Sequence, residues 1–404
     1  MWPTSGSQST HASQLRQPAV DSRDVPRLSS CGSYGARVRE GDATVAEPTS
    51  MYDLVKTLTE IPGPTGQEDL VHQWLADRWS GVAEEVIVTG VGNVLARIGG
   101  HGPNLIILGH GDELTLMVTS ISDNGLLRVW PAGRDLRGRP ALRYVPINQP
   151  VVVMADSGPT DGQLVYASGH VISASEEKGH FDWADWFVDL GYTNRDRVID
   201  LGIRPGTRIV VNPSTRRLGD AIIGKAMDNR AALAIATSVA ERADITRLRH
   251  TLWVGSTIQE ENGLLGASSI PETADFTFAI NLDVGLCGDV PGTKPETHPA
   301  KLGGGPILVH QDSSVHYSHR MTMALAEVAE AQSIPVQHAV YQNYGSDGAE
   351  LIRRGIETVL LTMPTRYTHS PNEMVTEPEL IQCVDLILAY LERDPLPPRW
   401  GVAG

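Results

Sequence analysis

The chain has 404 residues, 41 % hydrophobic and 20 % charged, the balance of a globular protein of two or three domains. Its formal net charge of −15 repels phosphate and argues against nucleic-acid or anionic-membrane partners, although acidity of this size also serves plain solubility. Cys31, Cys287 and Cys383 form no paired spacing, which excludes a disulfide framework and a zinc finger and fits a reducing cytoplasm; no apolar run reaches the roughly 18 residues of a membrane span.

Residues 1–49 are rich in Ser, Arg, Gly and Asp without sustained periodicity, the composition of a disordered extension with no secretory signal. From Met51, Tyr52, Leu54, Val55, Leu58 and Ile61 space as one face of a helix that Gly63-Pro64-Thr65-Gly66 ends. A second helix is expected over Leu70 to Trp79. Strand signals follow at Val86–Val88, Val94–Ala96 and Leu105–Leu108, and recur at Thr251–Val254, Phe276–Ile280 and Thr358–Leu361. These runs are continuously apolar, as in parallel strands covered on both faces. Helical stretches at Ala231–Ala243, Arg320–Ala331 and Ala349–Arg354 alternate with them, giving an α/β fold, a mixed-sheet α/β/α sandwich. The span 119–218 breaks the rhythm with Gly, Pro and short β-prone pieces such as Val151–Met154 and Arg208–Val211. It reads as a small β-rich domain inserted between two halves, 50–118 and 219–396, of the α/β domain, with 397–404 as a tail.

Four of the apolar strands lead to a side chain able to hold a metal: His110 with Asp112, Glu260 with Glu261, Asp283, and His369. Open α/β sheets bind ligands at the carboxyl ends of their strands, so these groups can converge on one point. His110 and Asp112 are two apart and share a face if the strand continues, which suits a carboxylate orienting a ligating imidazole. Adjacent Glu260 and Glu261 can divide metal binding from general-base work. Asp228 opens a helical run, where it is either an N-cap or a carboxylate shared by two cations. Asp283 lies in the apolar run Ile280–Val284, where an unpaired carboxylate is costly. Imidazole and carboxylate without thiolate suit zinc, cobalt or manganese alike.

Gly63-Pro64-Thr65-Gly66-Gln67-Glu68, Gly109-His110-Gly111-Asp112-Glu113, Gly224–Arg230, Gln259–Leu264, Leu282-Asp283-Val284, Gly345-Ser346-Asp347 and Arg366–Pro371 follow one another in the order of a known family. Over about residues 51–392 the chain resembles the tetrahedral glutamyl and deblocking aminopeptidases, dinuclear metallopeptidases of the zinc-exopeptidase kind. The resemblance implies that His110 and Asp283 hold one metal, Glu261 and His369 the other, and that Asp228 bridges them, zinc being the expected ion. It implies Glu260 as general base, Asp112 as the residue orienting His110, Asp347 near the substrate pocket, and one metal as the anchor of the substrate's free α-amine. It also implies peptide substrates and a homo-oligomer, from a dimer built on the inserted β domain up to a dodecamer. Gly111 stands where relatives usually carry a bulkier residue. The alternatives carried alongside are a metal-dependent deacylase or di- or carboxypeptidase, a glycan hydrolase, and a non-catalytic shell. A metal cage occupies the carboxylates a glycosidase needs, and an intact Glu260 argues against a mere shell.

Overall fold

The computed structural model describes residues 50–133, 142, 148–167 and 183–399. The expected disordered extension over 1–49 lies outside the described residues. In chain order, helices α1 (Met51–Glu60) and α2 (Asp69–Trp79) precede strands β1 (Glu85–Val88), β2 (Val94–Gly100) and β3 (Asn104–His110). Next come β4 (Thr115–Ile121), β5 (Leu127–Ala132), β6 (Pro150–Ala155), β7 (Gly158–Tyr166) and β8 (Trp186–Asp189), then α3 (Arg195–Ile199) and β9 (Arg208–Val211). The rest comprises β10 (Arg216–Leu218), β11 (Ala221–Gly224), α4 (Met227–Arg242), β12 (Thr251–Thr257), β13 (Phe278–Leu286) and β14 (Ile307–Gln311). It ends with α5 (His319–Ala331), β15 (Gln337–Val340), α6 (Gly348–Arg353), β16 (Glu357–Thr365), β17 (Glu373–Thr376) and α7 (Glu377–Leu391).

The main sheet runs β1-β2-β12-β3-β13-β16-β14-β15. Its four middle strands, β12, β3, β13 and β16, are mutually parallel, so their carboxyl ends share one edge. β2 joins β12, and β14 joins β16, antiparallel, which makes the sheet mixed as expected. Side-chain alternation divides each strand between two cores. On β3, Leu105 and Ile107 enter the larger core with α1, α2, α4, α5 and α7, while Ile106 and Leu108 face a smaller one with Ala267, Ile270 and Leu351. Both faces are therefore covered, which is why these strands read as unbroken apolar runs.

β4-β5-β8-β7-β6-β9 close into a barrel with its own core around Leu116, Val129, Val153, Leu164, Trp186 and Ile209. The barrel strands begin at Thr115 and end at Val211, several residues before the limits expected at both ends. Thr115 follows the His110 loop directly, and β10 already pairs with β11 in a separate three-stranded sheet, β10-β11-β17. The strand expected from Phe276 starts at Phe278, because Thr277 still bonds Asn104 from a loop. No helix among the described residues is long and apolar enough to cross a membrane.

Candidate metal centre

Each candidate ligand leaves the same edge of the sheet. His110 is the last residue of β3, Asp283 lies within β13, Glu260 and Glu261 form a 3-10 turn just after β12, and His369 sits in the loop after β16. Asp228 lies at the start of α4, but its φ/ψ of −78°/98° is not helical, and it does not cap α4 through its side chain. Of the two readings open for Asp228, the geometry disfavours the N-cap. The Asp228–Asn229 peptide bond is cis.

Two sets of potential ligand atoms result, each within 4.8 Å of one another: His110, Asp228 and Asp283, and Asp228, Glu261 and His369. Asp228 is common to both. His110 Nε2 stands 3.0 Å from Asp228 Oδ1, and His369 Nε2 stands 3.3 Å from Asp228 Oδ2 and 3.6 Å from Glu261 Oε1. All five are buried except His369, whose side chain is 36 % exposed and marks the open side. Carboxylates outnumber imidazoles here, and Glu261 Oε1 is a buried acceptor without a hydrogen-bond partner among the described residues. Uncompensated buried negative charge with mixed oxygen and imidazole donors fits divalent cations.

The titration behaviour reports the same excess. Burial pushes the Glu260 carboxyl well up, against the opposing pull of His110 and reinforced by Asp283, Asp347 and Glu261. Burial likewise raises Glu261, with Asp228 adding to it, and raises Asp283 beside Asp228. Burial disfavours the imidazolium of His369, yet Glu261 and Asp228 overcome this and lift it to about 10. His110 is raised in the same way by Glu260, Asp112 and Asp228. Asp228 moves down, its desolvation outweighed by hydrogen bonds from His110 and His369.

Asp112 lies beyond the end of β3, fully buried, with Oδ1 3.3 Å from His110 Nδ1. It does more than face His110. Its Oδ1 accepts from the Glu260 N–H at 3.0 Å, and its Oδ2 accepts from the Glu261 N–H at 3.2 Å and from the Thr65 hydroxyl at 3.0 Å. One carboxylate thus fixes an imidazole and the backbone of both glutamates. Asp347 is buried at the head of α6, where it accepts the Thr257 hydroxyl; its Oδ1 has no hydrogen-bond partner among the described residues, and burial lifts its carboxyl to about 7.

Several supporting residues escaped the sequence reading. Glu68 accepts from the N–H groups of Gly66 and Gln259, fastening the first motif to the glutamate turn, where Gln259 is left-handed with φ 50°. The Ser346 hydroxyl donates to Asp283. Glu113 receives Lys225 on both oxygens at 2.7 Å in a buried pair. Glu373 accepts the N–H groups of Asp228 and His369. Thr65, Glu68, Glu113, Lys225 and Ser346 stand inside the recurring motifs, so their order was a usable signal; Glu373 stands outside them, and nothing local marks it.

A mixed sheet whose parallel strand ends gather imidazoles and carboxylates is the architecture of a metal-dependent hydrolase. Residues 92–386 match the M42 glutamyl aminopeptidase family, and the chain belongs to that family. The enzyme is accordingly an aminopeptidase, a hydrolase of peptide bonds. It is 28 % identical over 351 residues to the lysyl aminopeptidase of Pyrococcus furiosus, covering 84 % of this chain and 96 % of that protein. Among solved structures it is similar to a TET aminopeptidase from a marine-sediment Thaumarchaeota archaeon, with 29 % identity, a TM-score of 0.78, and coverage of 85 % and 96 %. It is also similar to the Pyrococcus horikoshii TET1 peptidase, which can assemble into a tetrahedron or a large octahedral shell (26 % identity, TM-score 0.74, coverage 85 % and 99 %).

Proposed function

We propose that this protein releases N-terminal residues from peptides at a two-metal centre in which His110 and Asp283 hold one cation, Glu261 and His369 the other, and Asp228 both. The observation that carries this reading is the pair of three-residue sets sharing Asp228. Two divalent cations, zinc by preference, would supply a Lewis acid for the scissile carbonyl, a lowered pKa for the attacking water and an anchor for the free α-amine. Glu260, buried beside this centre with a carboxyl that burial makes a good proton acceptor, takes the proton from the attacking water and delivers it to the leaving amine. Asp112 holds His110 in the tautomer that leaves Nε2 facing Asp228, and holds the Glu260 backbone in register with it. Asp347 borders the same site behind Thr257, near the substrate.

The barrel over Thr115–Val211 serves as the assembly domain of a cytoplasmic homo-oligomer, by analogy with the TET1 shells, while the sheet and its helices form the catalytic domain. The test is purified protein assayed against a panel of aminoacyl-aminocoumarins, with metal content measured before and after chelation. Activity is expected on free N-termini only, lost on chelation and restored by zinc, cobalt or manganese. Asp228→Ala is expected to lose both metals; unchanged metal content and activity in that variant overturn the assignment.

A further inference from the structure

Glu373 is the first residue of β17, and that strand is pinned on both sides. It pairs with β11, where Gly224 faces Glu373, four residues before Asp228. On its other side Met374 exchanges hydrogen bonds with Arg366, closing the loop that carries His369. The Glu373 side chain is 2 % exposed and spans the two candidate ligands. Its Oε2 accepts the Asp228 N–H at 2.9 Å, and its Oε1 accepts the His369 N–H at 2.7 Å.

These two ligands depend on backbone anchoring more than His110 and Asp283 do. His110 and Asp283 belong to central strands, whose ladders hold them. Asp228 follows a left-handed Ala226 (φ 51°) and lies outside helical geometry. His369 is itself left-handed, with φ 61°, a conformation that a non-glycine residue keeps only when its surroundings enforce it. Tyr367, two residues earlier in the same loop, is left-handed as well. The carboxylate that takes both N–H groups therefore sets the distance between two side chains that must meet on one ion.

We propose that Glu373 is a positioning residue that sets the spacing of Asp228 and His369 and thereby the affinity of the Asp228–Glu261–His369 metal position. This rests on the two-metal reading above. Removing the carboxylate loosens two of the three ligands of that position but only one of the three at the His110–Asp228–Asp283 position. The two metals should therefore respond unequally. A role confined to general packing would lower stability without separating them.

The experiment uses the full chain, stripped by chelation and titrated with zinc by calorimetry, for the native protein, Glu373→Gln, Glu373→Asp and Asp228→Ala, with kcat and KM measured alongside. Glu373→Gln keeps the shape but offers only one acceptor oxygen. Its weaker zinc equivalent is expected to bind on the order of 10–100-fold less tightly, its stronger one to change much less, and its kcat to recover as zinc is raised. Glu373→Asp retains both acceptors at shorter reach and should fall between. If Glu373→Gln does not fold, the unequal loss in Glu373→Asp decides the matter. Two zinc equivalents bound with native affinities by a folded variant overturn the proposal, as does an equal loss at both. Native zinc binding by Asp228→Ala refutes the two-metal reading itself, whatever the Glu373 variants do.

Discussion

Glu113 joins two buried cationic side chains where solvent does not reach, and the relative cost of removing each of the three charges is predictable. Lys225 is 1 % exposed, Glu113 3 % and Arg230 fully buried. Glu113 takes Lys225 on both oxygens at 2.7 Å, the Gly63 N–H at 3.0 Å, and stands 3.5 Å from Arg230. Lys225→Met removes one cation but leaves Glu113 facing Arg230 and Gly63, so the charge remains balanced. The loss is that of a charged hydrogen bond, about 1.5–3 kcal/mol. Glu113→Gln instead leaves two buried cations of like sign without their shared anion, and breaking a buried pair in that way costs about 3–5 kcal/mol. Arg230 still hydrogen-bonds Leu58 and Ile61, which limits the damage on its side.

The sharper expectation concerns the double variant. Adding Lys225→Met to Glu113→Gln removes one of the stranded cations, so the pair should be less destabilised than the sum of the singles and possess a favourable coupling of about 1–3 kcal/mol. Equilibrium urea unfolding followed by tryptophan fluorescence, at one fixed protein concentration, reads these differences as shifts in midpoint at constant slope. Lys225→Met proving as costly as Glu113→Gln, or strict additivity, refutes the charge argument.

Three further outcomes follow from the same coordinates. The chelated protein should lose thermal stability as pH rises from about 6.5 toward 10. The folded His369 pKa of about 10 lies above its ordinary 6.5, so its stabilisation is complete below 6.5 and gone above 10; metal-loaded protein should not show this slope, and rising melting temperatures in the chelated form contradict it. Gly111→Ala places a methyl 2.2 Å from His72 Nε2 and 2.8 Å from the Ser256 hydroxyl, in the step between His110 and Asp112, so it should cost about 1–3 kcal/mol in urea unfolding and weaken zinc binding in calorimetry. Trp79→Ala removes a fully buried indole whose N–H meets Thr237 at 3.0 Å beneath α4; it should cost about 3–5 kcal/mol in the same unfolding assay, while zinc stoichiometry in the folded fraction stays native.

Much of this fold is legible in the chain because burial on both faces writes an unmistakable pattern. Leu105–Leu108 and Thr358–Leu361 can hardly be anything but central strands, and the residues just beyond them are forced to the sheet edge. The edge strand β15 carries no such run, since one neighbour and partial exposure leave its composition ordinary. The site divides along the same line. Strand position brings His110 and Asp283 to the sheet edge, and the order of the motifs singles them out as ligand candidates. Position does not do this for Asp228, because a carboxylate before a helix also suits a cap, and only the non-helical backbone separates the two. The two-residue spacing of His110 and Asp112 suggested a shared strand face; β3 in fact ends at His110, and a loop brings the same side chains together. Gly111 lacks a side chain where His72, held by Ser256 and Gly92, fills the space one would need.

What motif order does not supply is which residues pair when the partners lie far apart along the chain. Glu68 meets Gln259, Thr65 meets Asp112, Lys225 meets Glu113, and Glu373 meets Asp228. Most of these contacts join two stretches of irregular backbone, and the left-handed residues Ala226, Gln259 and His369 all fall in or next to those stretches. A rigid sheet can deliver strand ends to one edge with little specificity, but it cannot by itself set ligand atoms within a few tenths of an ångström. That tolerance is reached by buried carboxylates each accepting two backbone N–H groups, as Asp112 does for the adjacent Glu260 and Glu261 and Glu373 does for Asp228 and His369. The sheet determines where the centre forms, and these two carboxylates determine its dimensions; that is why substitutions at Asp112 and Glu373 should change metal affinity more than they change the fold.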